Sequence, residues 1–145
     1  MAKKASPGCT VRVSIEMPEM LAGSAPCRVA FMALAIASEE DDARIYRNWA
    51  EHLRADYPAT AAIFEGMGQE EDGHRHRLLE LYRARFAEHL PYLRRQDVRG
   101  FVTRRPVWLV RPLGLSAARR TAETMEMETR RFYEAAARRT TDAGV

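Results

Sequence analysis

Three stretches of the chain repeat their apolar residues at the spacing of a helix, and between them the repeat stops. From about residue 28 to 55, Val29, Met32, Ile36, Ala43, Tyr46, Ala50 and Leu53 fall three or four apart, one stripe of an amphipathic helix. Asp56, Tyr57 and Pro58 punctuate: Asp56 or Tyr57 can cap, and Pro58 suits a first helical turn, where its missing N–H is not needed. A second helix is predicted over about 58–90, with Phe64, Met67, Leu78 and Leu81 on its stripe. The link between these two is so short that they must lie antiparallel. Ser116 can cap a third helix reaching about residue 140, with Met125, Thr129, Phe132 and Ala136 on its inner face.

The remaining segments lack a helical period. Residues 1–27 carry Pro7, Gly8, Pro18, Gly23 and Pro26 and read as a flexible leader, in which Val11 to Ile15 alternates as a short strand would. Residues 91–115 hold Pro91, Gly100, Pro106, Pro112 and Gly114 yet keep Phe101, Val102, Trp108, Leu109 and Val110, so they read as a packed crossover. A link of that length lets the third helix start at the same end as an earlier one. The expected fold is all-α, a four-helix-bundle type with three long helices present, in one helical domain over 28–145.

Polar residues interrupt the stripes, and the interruptions carry the chemistry. On the second helix the positions that complete the apolar face are Glu71 and His74, three residues apart on one side of the helix. Glu70, Asp72, Arg75 and His76 point elsewhere. A carboxylate among apolar side chains is costly unless something pairs with it, and a cation is one such partner. On the first helix the skipped place is filled by Glu39 or Glu40. A surface acidic cluster accounts for three of the four acids from Glu39 to Asp42, and not for the one on the stripe. Laying the first helix on the third with an offset of 86 aligns Glu40 with Glu126, Tyr46 with Phe132 and Ala50 with Ala136, and this register selects Glu40. Inward-facing Glu-x-x-His with single glutamates from neighbouring helices is the donor pattern of the di-iron carboxylate bundles. Oxygen-rich ligation with one imidazole suits iron or manganese, whereas zinc takes more nitrogen and sulfur. Tyr46 shares the face of Glu40 and is the candidate catalytic phenol or hydrogen-bond donor; Tyr133 is a weaker candidate, one residue off its stripe. His52 and His76 read as surface residues, and His89 falls at the end of the second helix.

Composition narrows the class further. A net charge of +3 arises from 23 basic and 20 acidic residues interspersed along the helices, which disfavours a nucleic-acid footprint. The one rival patch is Arg94, Arg95, Arg104, Arg105 and Arg111 in the crossover. Cys9 and Cys27 are the only cysteines, too few for a thiolate metal centre. No run approaches the roughly 18 apolar residues that suggest a membrane span, and Arg12, Glu16 and Glu19 interrupt any signal-peptide core, so a cytoplasmic location is expected.

With these residues in place, the chain resembles the rubrerythrin-type, ferritin-like superfamily, and most closely the ferritin-like domain of bacterial membrane-bound ferritins. The stretches that carry the resemblance are Ala33 to Tyr46, Asp56 to Arg77, Arg95 to Leu115 and Ala122 to Ala143. The resemblance implies a di-iron carboxylate site, two irons per completed site, with Glu40, Glu71, His74 and Glu126 at the ligand positions. It implies oxidation of ferrous iron by dioxygen or peroxide, in iron homeostasis or peroxide defence. The alternative is a non-catalytic dimerisation or regulatory module attached to an iron transporter, since the family's full-length proteins carry a membrane domain that this chain does not show. By the spacing of Glu40 and Glu71, a second Glu-x-x-His belongs near position 157, past Val145. The fourth helix is therefore expected to be missing or supplied by another chain, and a homodimer or larger assembly is expected to cover the exposed groove.

Overall fold

The computed structural model describes residues 15–16, 25–86, 89–91, 98–99 and 114–139. Within them the order is β1 (Ile15–Glu16), α1 (Ala25–Leu53), α2 (Pro58–Arg85), β2 (Val98–Arg99) and α3 (Leu115–Arg139). The architecture is the expected all-helical one, a ferritin-like bundle of three long helices with no fourth among the described residues. Among the described residues there is also one two-residue parallel strand pairing, Ile15 opposite Val98 and Glu16 opposite Arg99. The arginine cluster at 94, 95, 104, 105 and 111 lies outside the described residues.

Helix ends explain how the chain turns. Tyr57 donates its backbone N–H to the Leu53 carbonyl at 2.7 Å and accepts from Ala61 N–H at 2.9 Å, so one residue closes α1 and opens α2. Of the two residues that could cap, Tyr57 takes the N-cap position, though its side chain makes no capping bond, and Pro58 follows in the first turn. α2 stops at Arg85, short of His89, whose carbonyl instead accepts the Tyr82 hydroxyl at 3.0 Å. α3 is opened by Gly114, not by Ser116. The Gly114 carbonyl accepts from Ala118 N–H at 3.1 Å, and its φ of 104° is one that a residue without Cβ adopts freely.

The core divides into two apolar clusters. One joins Phe31, Met32, Leu34, Ala35 and Ile36 of α1 to Tyr82 of α2 and to Phe132 and Ala136 of α3. The other joins Ile45, Tyr46, Trp49, Ala50 and Leu53 of α1 to Ala61 and Phe64 of α2 and to Ala118, Ala122 and Met125 of α3. The pairing fixes the directions: α2 and α3 both run antiparallel to α1, so α3 does start at the end where α2 started. Aromatic rings hold each cluster. Phe31 stacks on Phe132 at 5.1 Å between centroids, and Trp49 meets Phe64 edge-on at 5.3 Å. Between the clusters, α1 changes character. Ser38, Glu39 and Asp42 are buried there, with about two and a half turns of helix separating Ile36 from Ile45. α1 and α2 also come close at this level, since a Cβ on Gly68 would lie 3.2 Å from Arg47 Cγ and 3.4 Å from the Ala43 carbonyl.

Phe64 is 3 % exposed, stacks on Tyr46 and meets Trp49 edge-on. Phe64→Ala is expected to destabilise the fold by about 3–5 kcal/mol through lost burial and a residual cavity, measured as a shift of the urea midpoint at unchanged slope.

Candidate metal centre

The polar break between the two clusters is where the sequence-predicted site residues are to be found, and the structure brings three groups together there. Glu39 of α1 and Glu71 and His74 of α2 each offer a ligand atom, all within 4.8 Å of one another. Glu39 is 2 % and Glu71 7 % exposed, while nearly half of the His74 side chain reaches solvent. His74 Nδ1 lies 3.1 Å from Glu71 Oε2 and 3.5 Å from Glu39 Oε2. The Glu71–His74 pairing on one inner face agrees with the helical register read from the sequence.

Glu40 does not join them. Its side chain is 41 % exposed and pairs on the surface with Arg44 at 2.5 Å and Arg75 at 3.9 Å. The inward glutamate of α1 is Glu39, one residue and about 100° earlier around the helix. Both positions suit the apolar stripe, three residues after Ile36 or three before Ala43, and the offset of 86 made the wrong choice.

The correct register shows in two tyrosine bonds that cross between α1 and α3. Tyr46 of α1 donates its hydroxyl to Glu126 Oε1 of α3 at 2.6 Å, and Tyr133 of α3 donates to Glu39 Oε1 of α1. Each tyrosine follows the glutamate of its own helix by seven residues and bonds the glutamate of the other. The offset relating Glu39 to Glu126, and Tyr46 to Tyr133, is therefore 87. Glu39 and Tyr133 are the residues that sequence reasoning misplaced or undervalued, and a search for repeated Glu-x6-Tyr would have found them. Glu126 is the most open member, exposed at its residue surface though its carboxylate meets the buried Tyr46.

Electrostatics show what this geometry costs. Burial pushes the Glu71 carboxyl up from 4.5 to about 9, helped next by the adjoining Glu39 carboxylate and then by the charges of Glu126 and Asp42. Burial likewise raises both phenols. Tyr46 is raised further by its bond to Glu126, and Tyr133 by the charge of Glu39 and by its bond to it, so both stay neutral donors. One buried oxygen, Glu39 Oε2, has no hydrogen-bond partner. A buried acceptor in that condition is costly, and either a proton retained on Glu71 or a cation between the two carboxylates relieves it. Two carboxylates and an imidazole, unscreened on one side and walled by apolar clusters on two others, fit a divalent iron or manganese ion.

Without metal, the folded chain keeps a proton on Glu71 that the unfolded chain releases near pH 4.5. The native state therefore binds more protons between pH 4.5 and about 9, and stability contributed by this group is full below that window and is lost as pH rises through it. Glu71→Gln is expected to remove this component, so the difference in urea midpoint between variant and parent should widen in the variant's favour from pH 5 to pH 9.

Comparison with known proteins bears on the same residues. The rubrerythrin family model matches residues 30–145, from the first turns of α1 through all of α3. No curated protein and no solved structure matches the chain. A match over that share of the chain, taking in the carboxylates of all three helices, makes this protein a member of the rubrerythrin family.

Proposed function

We propose that the chain is an iron-binding protein of the di-iron carboxylate kind, oxidising ferrous iron with dioxygen or peroxide. The observation that carries this reading is Glu39 Oε2, a buried acceptor without a hydrogen-bond partner that faces Glu71 and the imidazole of His74. Glu39, Glu71, His74 and Glu126 would hold the metal, with two irons in a completed site; manganese suits the same donors. Ferrous iron held by these residues would supply the electrons that reduce the oxidant.

The protein's own residues prepare the site for that exchange. Tyr133 fixes one oxygen of Glu39 and leaves the other free, so the carboxylate presents a single orientation to the ion. Tyr46 acts on Glu126 in the same way. Both phenols are buried and remain protonated, which suits them to positioning. Glu71 gives up the proton held at its carboxylate when a cation takes its place, so affinity rises with pH toward 9. The apolar clusters above and below exclude water, leaving the His74 side as the approach for oxidant and ion. The resemblance of the sequence to the ferritin-like domain of membrane-bound ferritins supports a role for this chemistry in iron homeostasis.

Loading the protein with ferrous iron in air tests the proposal. Two irons per completed site and faster loss of ferrous iron than in buffer are expected. Glu39→Ala, Glu71→Ala and His74→Ala should each weaken iron binding by roughly 100-fold or more and abolish the oxidation, whereas Glu40→Ala should leave both intact. Retention of iron by Glu39→Ala together with its loss in Glu40→Ala would overturn the assignment.

A further inference from the structure

Of the four consecutive acids of α1, two are turned inward. Glu39 is 2 % and Asp42 3 % exposed, while Glu40 and Asp41 both reach solvent. Asp42 follows Glu39 by three residues and precedes Tyr46 by four, so the three share one face of the helix. The crossed tyrosine bonds set its depth. Glu39 accepts from Tyr133 at one point on α1, and Tyr46 donates to Glu126 seven residues, or about 10 Å of helix, farther on. Asp42 stands between the two bonds. Its charge is felt on every helix that borders this space, since it helps to raise the Glu71 carboxyl on α2 and the hydroxyls of Tyr46 on α1 and Tyr133 on α3. It lies outside the group formed by Glu39, Glu71 and His74, whose ligand atoms come within 4.8 Å of one another.

Resting on the metal-centre reading above, we infer that Asp42 is a further metal-binding residue, a carboxylate that ligates a divalent cation in the space between Glu39 and Glu126. Charge is the first reason. Two divalent cations bring four positive charges between the apolar clusters, and an interior of low polarity penalises any charge left unbalanced. Glu39, Glu71 and Glu126 balance three of them, and Asp42 balances the fourth.

Spacing is the second reason. Glu39 Oε2, one turn before Asp42 on the same face, is a buried acceptor without a hydrogen-bond partner, so this face of α1 already presents one oxygen to a cation. Paired ions in two-metal sites stand about 3.5–4 Å apart. The rise from Glu39 to Asp42 is about 4.5 Å, so the two carboxylates follow the helix at nearly the interval of such a pair.

Titration of the metal-free chain with Co2+, followed by calorimetry and by the visible absorption of bound cobalt, tests the assignment. Asp42→Asn removes the carboxylate at nearly constant shape, and Asp41→Asn removes the same charge one residue away. Asp42→Asn is expected to weaken cobalt binding by about tenfold or more and to alter the absorption band, because bound cobalt has lost an oxygen ligand. Asp41→Asn should keep the band and hold the affinity within roughly threefold of the parent, with circular dichroism of both variants confirming the helical fold. Anomalous diffraction from the cobalt-loaded parent gives a reading that depends on no variant, and an Asp42 oxygen is expected at about 2.0–2.2 Å from a cobalt ion. A weaker affinity in Asp42→Asn with an unchanged band would show a charge acting through space and overturn the assignment. So would cobalt-loaded crystals in which Asp42 stays more than about 3 Å from every ion. Absence of any cobalt binding to the parent chain would instead remove the metal-centre reading itself.

Discussion

A carboxylate oxygen buried without a donor is the constraint around which this bundle is arranged. Glu39 lies near the middle of α1, where the helix passes from one apolar cluster to the other, and it is drier than most of the hydrophobic residues around it. A stretch of four acids could be turned to solvent at no cost by a rotation of α1. It is not turned, because the apolar residues on either side fix the helix's rotation. Phe31 and Ile36 on one side and Ile45, Tyr46 and Trp49 on the other have their partners on α2 and α3, and rotating Glu39 outward would expose them all. Burying a side chain of that size contributes about 1.5–3 kcal/mol, so several together outweigh one strained acid. The packing holds the chemistry in place against the preference of the chemistry itself.

The tyrosines show how the strain is limited to one atom. Without them both oxygens of Glu39 would be without donors, and Glu126 would be free to swing. Tyr133 takes one oxygen of Glu39, and Tyr46 takes one of Glu126, across the α1–α3 contact. Desolvation and the neighbouring carboxylates raise both phenols above their ordinary value, so each is a neutral donor at neutral pH. The surface acids are treated differently. Glu40 finds Arg44 and Arg75, Asp72 finds Arg47, and these exposed pairs contribute little to stability. Adjacent residues of one acidic run thus serve opposite ends, one neutralised in water and the other kept available in the interior.

The helices, their directions and the Glu71–His74 pair could be read from the sequence because each rests on periodicity or on chain length between elements. Four residues between α1 and α2 leave only an antiparallel pairing, and a three-residue separation on a helix leaves only one face. The choice between Glu39 and Glu40 had no such support. Both are glutamates, both fit a stripe spaced by threes and fours, and an apolar match between α1 and α3 tolerates a slip of one residue because Phe132 and Tyr133 are both large and aromatic. What resolves the register is the hydroxyl, which Phe132 lacks and Tyr133 has. The start of α3 escapes the sequence for a related reason: Ser116 is a good cap by type, but Gly114 is where the backbone takes a φ of 104°.

The crossed tyrosine bonds give the two-fold likeness of α1 and α3 a physical meaning beyond ancestry. Antiparallel helices carrying Glu-x6-Tyr at matching depth place each hydroxyl opposite the other helix's carboxylate, so one spacing rule builds both supports. The likeness is incomplete where it matters, because α2 supplies Glu71 and His74 to the Glu39 side and no described residue supplies their counterpart to the Glu126 side. A symmetric support therefore carries an asymmetric donor set. Like tyrosine bonds hold a buried carboxylate at one end and an exposed one at the other, so the two ends differ in hydration and not in the kind of bond that supports them.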